Sequence, residues 1–115
     1  MLDEHGDEMI DKIKRIAELQ LQYSSDNTPA MQERGEIIRN VLPAMLRESL
    51  DDFKSCLGRF SADIEIEGKD GIGRKTGTPW VRIYSKSLSP SATTGFYVVL
   101  HFSIDGNRCY VTIWV

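Results

Sequence analysis

Chemistry in this sequence is concentrated between Gly68 and Trp80: Gly68-Lys69-Asp70-Gly71-Ile72-Gly73-Arg74-Lys75-Thr76-Gly77-Thr78-Pro79-Trp80. Four glycines, the adjacent Arg74 and Lys75 and a proline lie between two segments of strand-like alternation. A loop of this kind offers unpaired backbone N–H groups and cationic side chains, the two things a phosphate binds. It is not a P-loop. Gly68 and Gly73 have the right separation, but Arg74-Lys75-Thr76 puts the lysine one place late, and Pro79-Trp80-Val81 opens a strand where a P-loop opens a helix. Positive backbone φ in a tight loop is by itself a complete explanation of Gly71 and Gly73.

Other chemistry is sparser. Asp51 or Asp52 followed by Glu67-Gly68-Lys69 spells the D…ExK order of metal-dependent nucleases, in which two carboxylates hold Mg²⁺ and a lysine positions water. The fit is poor, because both aspartates read as helical and Glu67 as a strand end running into the glycine loop. His101 falls in a buried-looking strand, where a hydrogen-bonded core role is the ordinary one, and His5 has no visible acidic partner. Ser85-Lys86-Ser87 has no spacing that selects a nucleophile and its base. Cys56 and Cys109, 53 residues apart and without a CxxC partner, exclude a disulfide scaffold and a cysteine zinc site; they read as buried thiols in a reducing compartment. These patterns predict no catalytic residues, no metal and no cofactor.

The chain that carries them has 115 residues, enough for one domain. Its 41% hydrophobic and 27% charged residues are globular proportions. The acidic start Met1–Glu8 lacks the apolar core of a signal peptide, and no apolar run approaches a membrane span, so a cytoplasmic protein is expected. The net charge of −3 is split unevenly. Residues 1–67 hold 8 Lys/Arg against 15 Asp/Glu, and residues 68–115 hold 6 against 2. Such asymmetry hints at a polyanionic partner for the second half, although a solvated acidic helical face explains it too.

The first half reads as helix. Met9, Ile10, Ile13, Ile16, Ala17, Gln20 and Leu21 recur at three-and-four spacing, predicting an amphipathic helix from about Asp3 to Tyr23. Ser24-Ser25-Asp26-Asn27 ends it. Thr28-Pro29 reads as N-cap and first helical residue of a second helix burying Met31, Ile37, Ile38, Val41 and Leu42. Pro43 predicts a kink or a fresh start, followed by a third segment to about Cys56 with Leu46, Leu50, Phe53 and Leu57 as its stripe and Gly58 as its stop. These helices read as scaffold. From Ser61 the period becomes two. Strands are expected over 62–67, 79–85, 95–103 and 107–115, the third central because it is nearly all apolar, with Asp105-Gly106 as a two-residue hairpin. The fold class is therefore α+β: residues 1–60 form the helical part and residues 61–115 an antiparallel meander of the same domain. Ending on Ile113-Trp114-Val115, mid-strand by pattern, reads as a domain cut short.

Residues 62–115 resemble the McrB-like N-terminal domain of modification-dependent restriction systems. The matching residues are Gly71-Ile72-Gly73, Thr78-Pro79-Trp80-Val81, Tyr84, Gly95-Phe96-Tyr97-Val98-Val99 and the Asp105-Gly106 hairpin with Tyr110. Upstream, Val41-Leu42-Pro43 with Leu46 is similar to the proline-bearing helix before the family's first strand. The resemblance implies a DNA-binding, non-enzymatic module that recognises a modified base, typically methylated cytosine, by flipping it into an aromatic-lined pocket. It would act beside a motor or nuclease of the full system. The pocket residues would be Ile72, Trp80 and Tyr84, the loop backbone Gly71 and Gly73, and the phosphate contacts Lys69, Arg74, Lys75, Arg82 and Lys86. Where relatives place an aromatic between the loop glycines, Ile72 packs against a base or a methyl group and has no stacking face. The competing expectation is a protein-interaction or assembly module whose sheet is scaffold; it does not require basic residues beside aromatics.

Overall fold

The computed structural model describes residues 4–51, 63–87 and 97–114. The apolar stripe of the first segment forms α1 (Glu4–Gln20). Its last turn tightens, with Leu21, Gln22 and Tyr23 N–H donating to the carbonyls three residues back. The helix therefore stops at Gln20 instead of Tyr23, which turns Leu21 out to solvent. Thr28 caps α2 (Pro29–Glu36), its hydroxyl accepting from Met31 N–H at 3.3 Å. A side-chain cap of this type contributes about 1 kcal/mol.

Pro43 does not end the helical run; the irregularity expected there takes the form of a π turn just before it. α2 runs through a π turn (Ile37–Val41) into α3 (Leu42–Asp51) without a break in the chain's helical conformation. Proline has no N–H for the carbonyl one turn back, and its ring crowds that carbonyl. Admitting one extra residue, with Leu42 N–H donating to Ile37 O, accommodates the ring without ending the helix. The expected continuation of α3 to Cys56, with Phe53, Leu57 and the Gly58 stop, lies outside the described residues.

The alternating segments form one antiparallel sheet in the order β1-β2-β3-β4: β1 (Ile64–Lys69), β2 (Trp80–Ser85), β3 (Tyr97–Phe102) and β4 (Cys109–Trp114). β3 is central, as its apolar run required. β1 starts and ends two residues later than the alternation suggested. At its start the Asp63 carboxylate accepts from the Ser85 and Ser87 hydroxyls and from Ser87 N–H, closing the strand end. At its finish Gly68 lies so close to the π turn that a Cβ there would sit 1.8 Å from Ile38 O.

The β3–β4 connection is longer than two residues. Ser103 N–H donates to Arg108 O, and Gly106 N–H to Ser103 O, across a turn that Asp105 organises by accepting from Asn107 N–H and Ser103 Oγ. Gly106 has φ +76°, and a Cβ on it would meet Ala17 O at 2.4 Å. The dipeptide is thus spent on a left-handed corner pressed against α1 instead of a mirror-image two-residue turn.

The helices pack on one face of β1–β3 and leave Val111 and Ile113 of β4, on that same face, exposed. Ile16 and Leu19 of α1 with Ile37, Ile38 and Leu42 pack on Val81, Leu100 and Phe102, flanked by Met9, Ile13, Ala30, Leu46 and Ile66. Registered partners share a face, so Glu65, Glu67 and Lys69, Trp80, Arg82 and Tyr84, Tyr97, Val99 and His101, and Tyr110 and Thr112 lie on the other. Cys109 is exposed, unlike the buried thiol expected; Cys56 lies outside the described residues.

Candidate nucleic-acid interface

The β1–β2 loop, residues 70–79, leaves the sheet where Lys69 pairs with Trp80. Its two ends are buried: Asp70 at the start and Pro79 at the finish. Between them the chain doubles back, Thr76 N–H donating to Asp70 O at 3.0 Å. The reversal uses positive φ at Gly71 (+105°) and Gly73 (+77°). At Gly71 space is also short, since a Cβ would lie 2.4 Å from Arg74 O. The outcome is a narrow projection whose tip, Ile72-Gly73-Arg74, is exposed. Ile72 is 91% exposed, so an aliphatic side chain stands in solvent with a cation two residues away.

The second half of the loop is held by the helical part. Three successive carbonyls each accept from a helical or post-helical side chain. Tyr23 Oη donates to Lys75 O at 2.7 Å, Arg34 Nη2 to Thr76 O at 2.7 Å, and Gln20 Nε2 to Gly77 O at 2.8 Å. Lys75 N–H donates to Ser25 O at 2.8 Å. Arg34 has no exposed surface; its Nη1 donates to Gln20 Oε1 at 2.6 Å, and it lies 5.7 Å from the Tyr23 ring. Burial pushes the Arg34 pKa down, while the charge of nearby Asp70 opposes the shift.

Asp70 is the counter-charge beneath the loop. Its carboxylate is 3.3 Å from Arg39 Nε and 3.3 Å from Lys75 Nζ. Gly35 makes room for it, because a Cβ there would sit 2.5 Å from Asp70 Oδ2. Arg39, half-exposed on the π turn, thereby joins the loop from the acidic half of the sequence.

The residues singled out in the sequence fall into three groups. Lys69 and Arg74 are exposed beside the projection, and Trp80 is half-buried at its base. Lys75 is only 11% exposed, and its N–H, carbonyl and ammonium are all engaged within the protein. Arg82 is buried, with Nε 3.2 Å from Glu67 Oε1 and its guanidinium 3.6 Å from the Tyr84 ring centroid and 5.7 Å from that of Tyr97. It braces the aromatic face from within, and it already covers one side of the Tyr84 ring. Lys86 does not surround the loop. It follows the opposite end of β2, about 20 Å from Trp80 along the strand, and its Nζ lies 3.8 Å from Glu65.

Gln20, Tyr23, Arg34 and Arg39 were not legible as site residues. The available signal was a polar side chain on an apolar stripe: Gln20 keeps the spacing of Ile13, Ile16 and Ala17, and Arg34 that of Met31 and Ile38. Among the described residues no group of three or more His, Cys, Asp or Glu is placed to hold a metal ion. None of the described helices is long and apolar enough to cross a membrane.

The fold is of the α+β class, with a glycine projection that ends in Thr78-Pro79-Trp80 beside a sheet face carrying Trp80, Tyr84 and Tyr97. By its family model the chain belongs to the MrcB-like, N-terminal domain family, matched over residues 16–115. The match begins within α1 and includes every element that touches the loop. That family fits a DNA-binding role in restriction systems. No curated protein and no solved structure matches the chain.

Proposed function

We propose that this chain is the DNA-reading part of a restriction or defence system, that it recognises a modified base, and that it performs no catalysis itself. One observation carries the reading: the tip Ile72-Gly73-Arg74 stands clear of a loop whose base is fixed to the helical part. An exposed aliphatic side chain beside a cation is unfavourable in water and suited to a duplex, where apolar surface meets bases and charge meets phosphate. Lys69 and Arg74, with Arg39 behind them, supply the positive surface. Trp80 at the foot of the loop supplies a stacking wall on the aromatic sheet face, with Ile72 as the apolar contact to a base or its methyl group.

Flipping is the mechanism these parts favour. An extrahelical base must recover a few kcal/mol of lost stacking and pairing, and an indole wall with edge hydrogen bonds is a means of doing so. The modification would be read by the fit of a methyl group against Ile72 and Trp80. The motor or nuclease that acts on the reading would lie elsewhere in the system, and the setting is cytoplasmic.

The test is a gel shift with duplexes that differ only in cytosine methylation. The wild-type chain should prefer the methylated duplex. Trp80→Ala should remove most of that preference, worth ~1–3 kcal/mol for one stacking surface, while circular dichroism shows the fold retained. Equal binding of both duplexes by the wild type would end the modified-base reading and leave a general DNA binder. Cleavage of supercoiled plasmid in Mg²⁺ that disappears in Glu67→Ala would end the non-catalytic one.

A further inference from the structure

The acidic helical half is more than a support for the sheet. We infer that Gln20, Tyr23 and Arg34 are positioning residues that set the glycine loop in its binding shape, so that the DNA-contacting tip is pre-organised by the α1–α2 corner. The inference rests on the DNA-binding reading above for its functional arm, but its structural arm is independent.

The observation is the run of three consecutive loop carbonyls, Lys75, Thr76 and Gly77, each taken by a different helical-half donor. Three in succession fix the path of the backbone; one alone would leave it free to pivot. The donors are themselves linked. Gln20 accepts from Arg34 and also donates to Ser103 O, tying the loop to the β3–β4 connection as well. The positive-φ positions of the tip are both glycines, Gly71 and Gly73, between the Asp70–Thr76 closure and the exposed end. A loop held this way has little conformational freedom to lose on binding, which raises affinity without adding a contact. None of the three donors needs to touch DNA. Tyr23 and Arg34 are occupied by the loop backbone, and Arg34 has no exposed surface.

The inference separates two ways of weakening DNA binding. Removing Arg74 deletes a phosphate contact and changes the salt dependence. Loosening the clamp deletes no contact, so affinity falls while the slope of log K against log salt stays as in the wild type.

Deleting Arg34 strands Gln20 Oε1 and Thr76 O in the interior, so the primary variant is Tyr23→Phe, which removes only the hydroxyl to Lys75 O. Arg34→Lys is the second, keeping the charge but not the two-pronged reach. Amide hydrogen exchange over residues 71–77 and duplex affinity at three salt concentrations are measured for both. The expected result is exchange about fivefold faster in that segment and affinity about fivefold lower for methylated and plain duplexes alike, with the salt slope unchanged. Unchanged exchange in both variants overturns the clamp. Faster exchange with wild-type affinity overturns its role in binding. A wild-type chain that binds no duplex defeats the DNA-binding reading and this positioning role with it, and the exchange result then still decides whether the clamp exists.

Discussion

At the scale of single residues, the cations divide by what already holds them. Arg82 and Lys75 are engaged inside the protein, by Glu67 and Asp70, and moving either to a phosphate would break that ion pair. Arg74 is exposed, with Nη2 3.4 Å from Ser25 Oγ. Arg74→Ala should therefore weaken methylated and plain duplexes by similar factors and reduce the salt slope by about 1, measured by titration at several ionic strengths. A preference for the methylated duplex should survive, because a phosphate contact carries no base information.

At the scale of elements, the decisive contact is between the π turn and β1. Gly68 faces Ile38 O with no room for a methyl group, and Gly35, one turn earlier in the same helical run, clears the space for Asp70. The helix widens over Ile37–Val41 and the strand has no side chain at Gly68, so helix and sheet approach more closely than side chains would allow. Gly68→Ala must push the π turn off the sheet, since the obstacle is backbone and cannot rotate away. A loss of about 3 kcal/mol is expected by urea unfolding, near the upper end of ordinary overpacking. Gly73→Ala meets nothing within 4 Å and should cost less, through its φ alone.

At the scale of the whole molecule, two carboxylates at strand ends of the sheet contribute to its acid response, as does Glu33 through its Arg15 hydrogen bonds. Asp105 is held below the ordinary Asp range by Asn107 N–H and the Ser103 hydroxyl, and Asp63 by the Ser85 and Ser87 hydroxyls. A carboxylate with a lowered folded pKa stabilises the fold above its unfolded value, near 3.8, and that contribution disappears as pH falls through the folded value. Thermal stability should therefore be flat above about pH 5 and decline below about pH 4. Asp63→Asn and Asp105→Asn should each lower the neutral-pH melting temperature and flatten the acid limb, as followed by circular dichroism. The uneven charge of the sequence is also redistributed at this scale. Arg34 and Arg39 come from the acidic half, yet both end up against the loop.

The sequence by itself determined the α+β class, the order of helices before sheet, the Thr28 cap and the central place of β3. Each follows from local periodicity or capping chemistry, which needs no knowledge of what lies across the core. It also marked the glycine loop and Trp80, because glycines, cations and Pro-Trp are adjacent in the chain. Only the tertiary structure decided which cations remain available. Burial of Lys75 and Arg82 depends on partners across the fold, and the strand that separates Lys86 from the loop has a length the eye does not weigh in a string of letters. The same holds for Pro43, beside which a π turn keeps the helical run continuous, and for Asp105-Gly106, whose Gly106 lies against Ala17 O. The clamp of Gln20, Tyr23 and Arg34 joins residues 42 to 57 positions apart in the chain. No local pattern encodes such a pairing; it exists because the core brings the α1–α2 corner beside the loop.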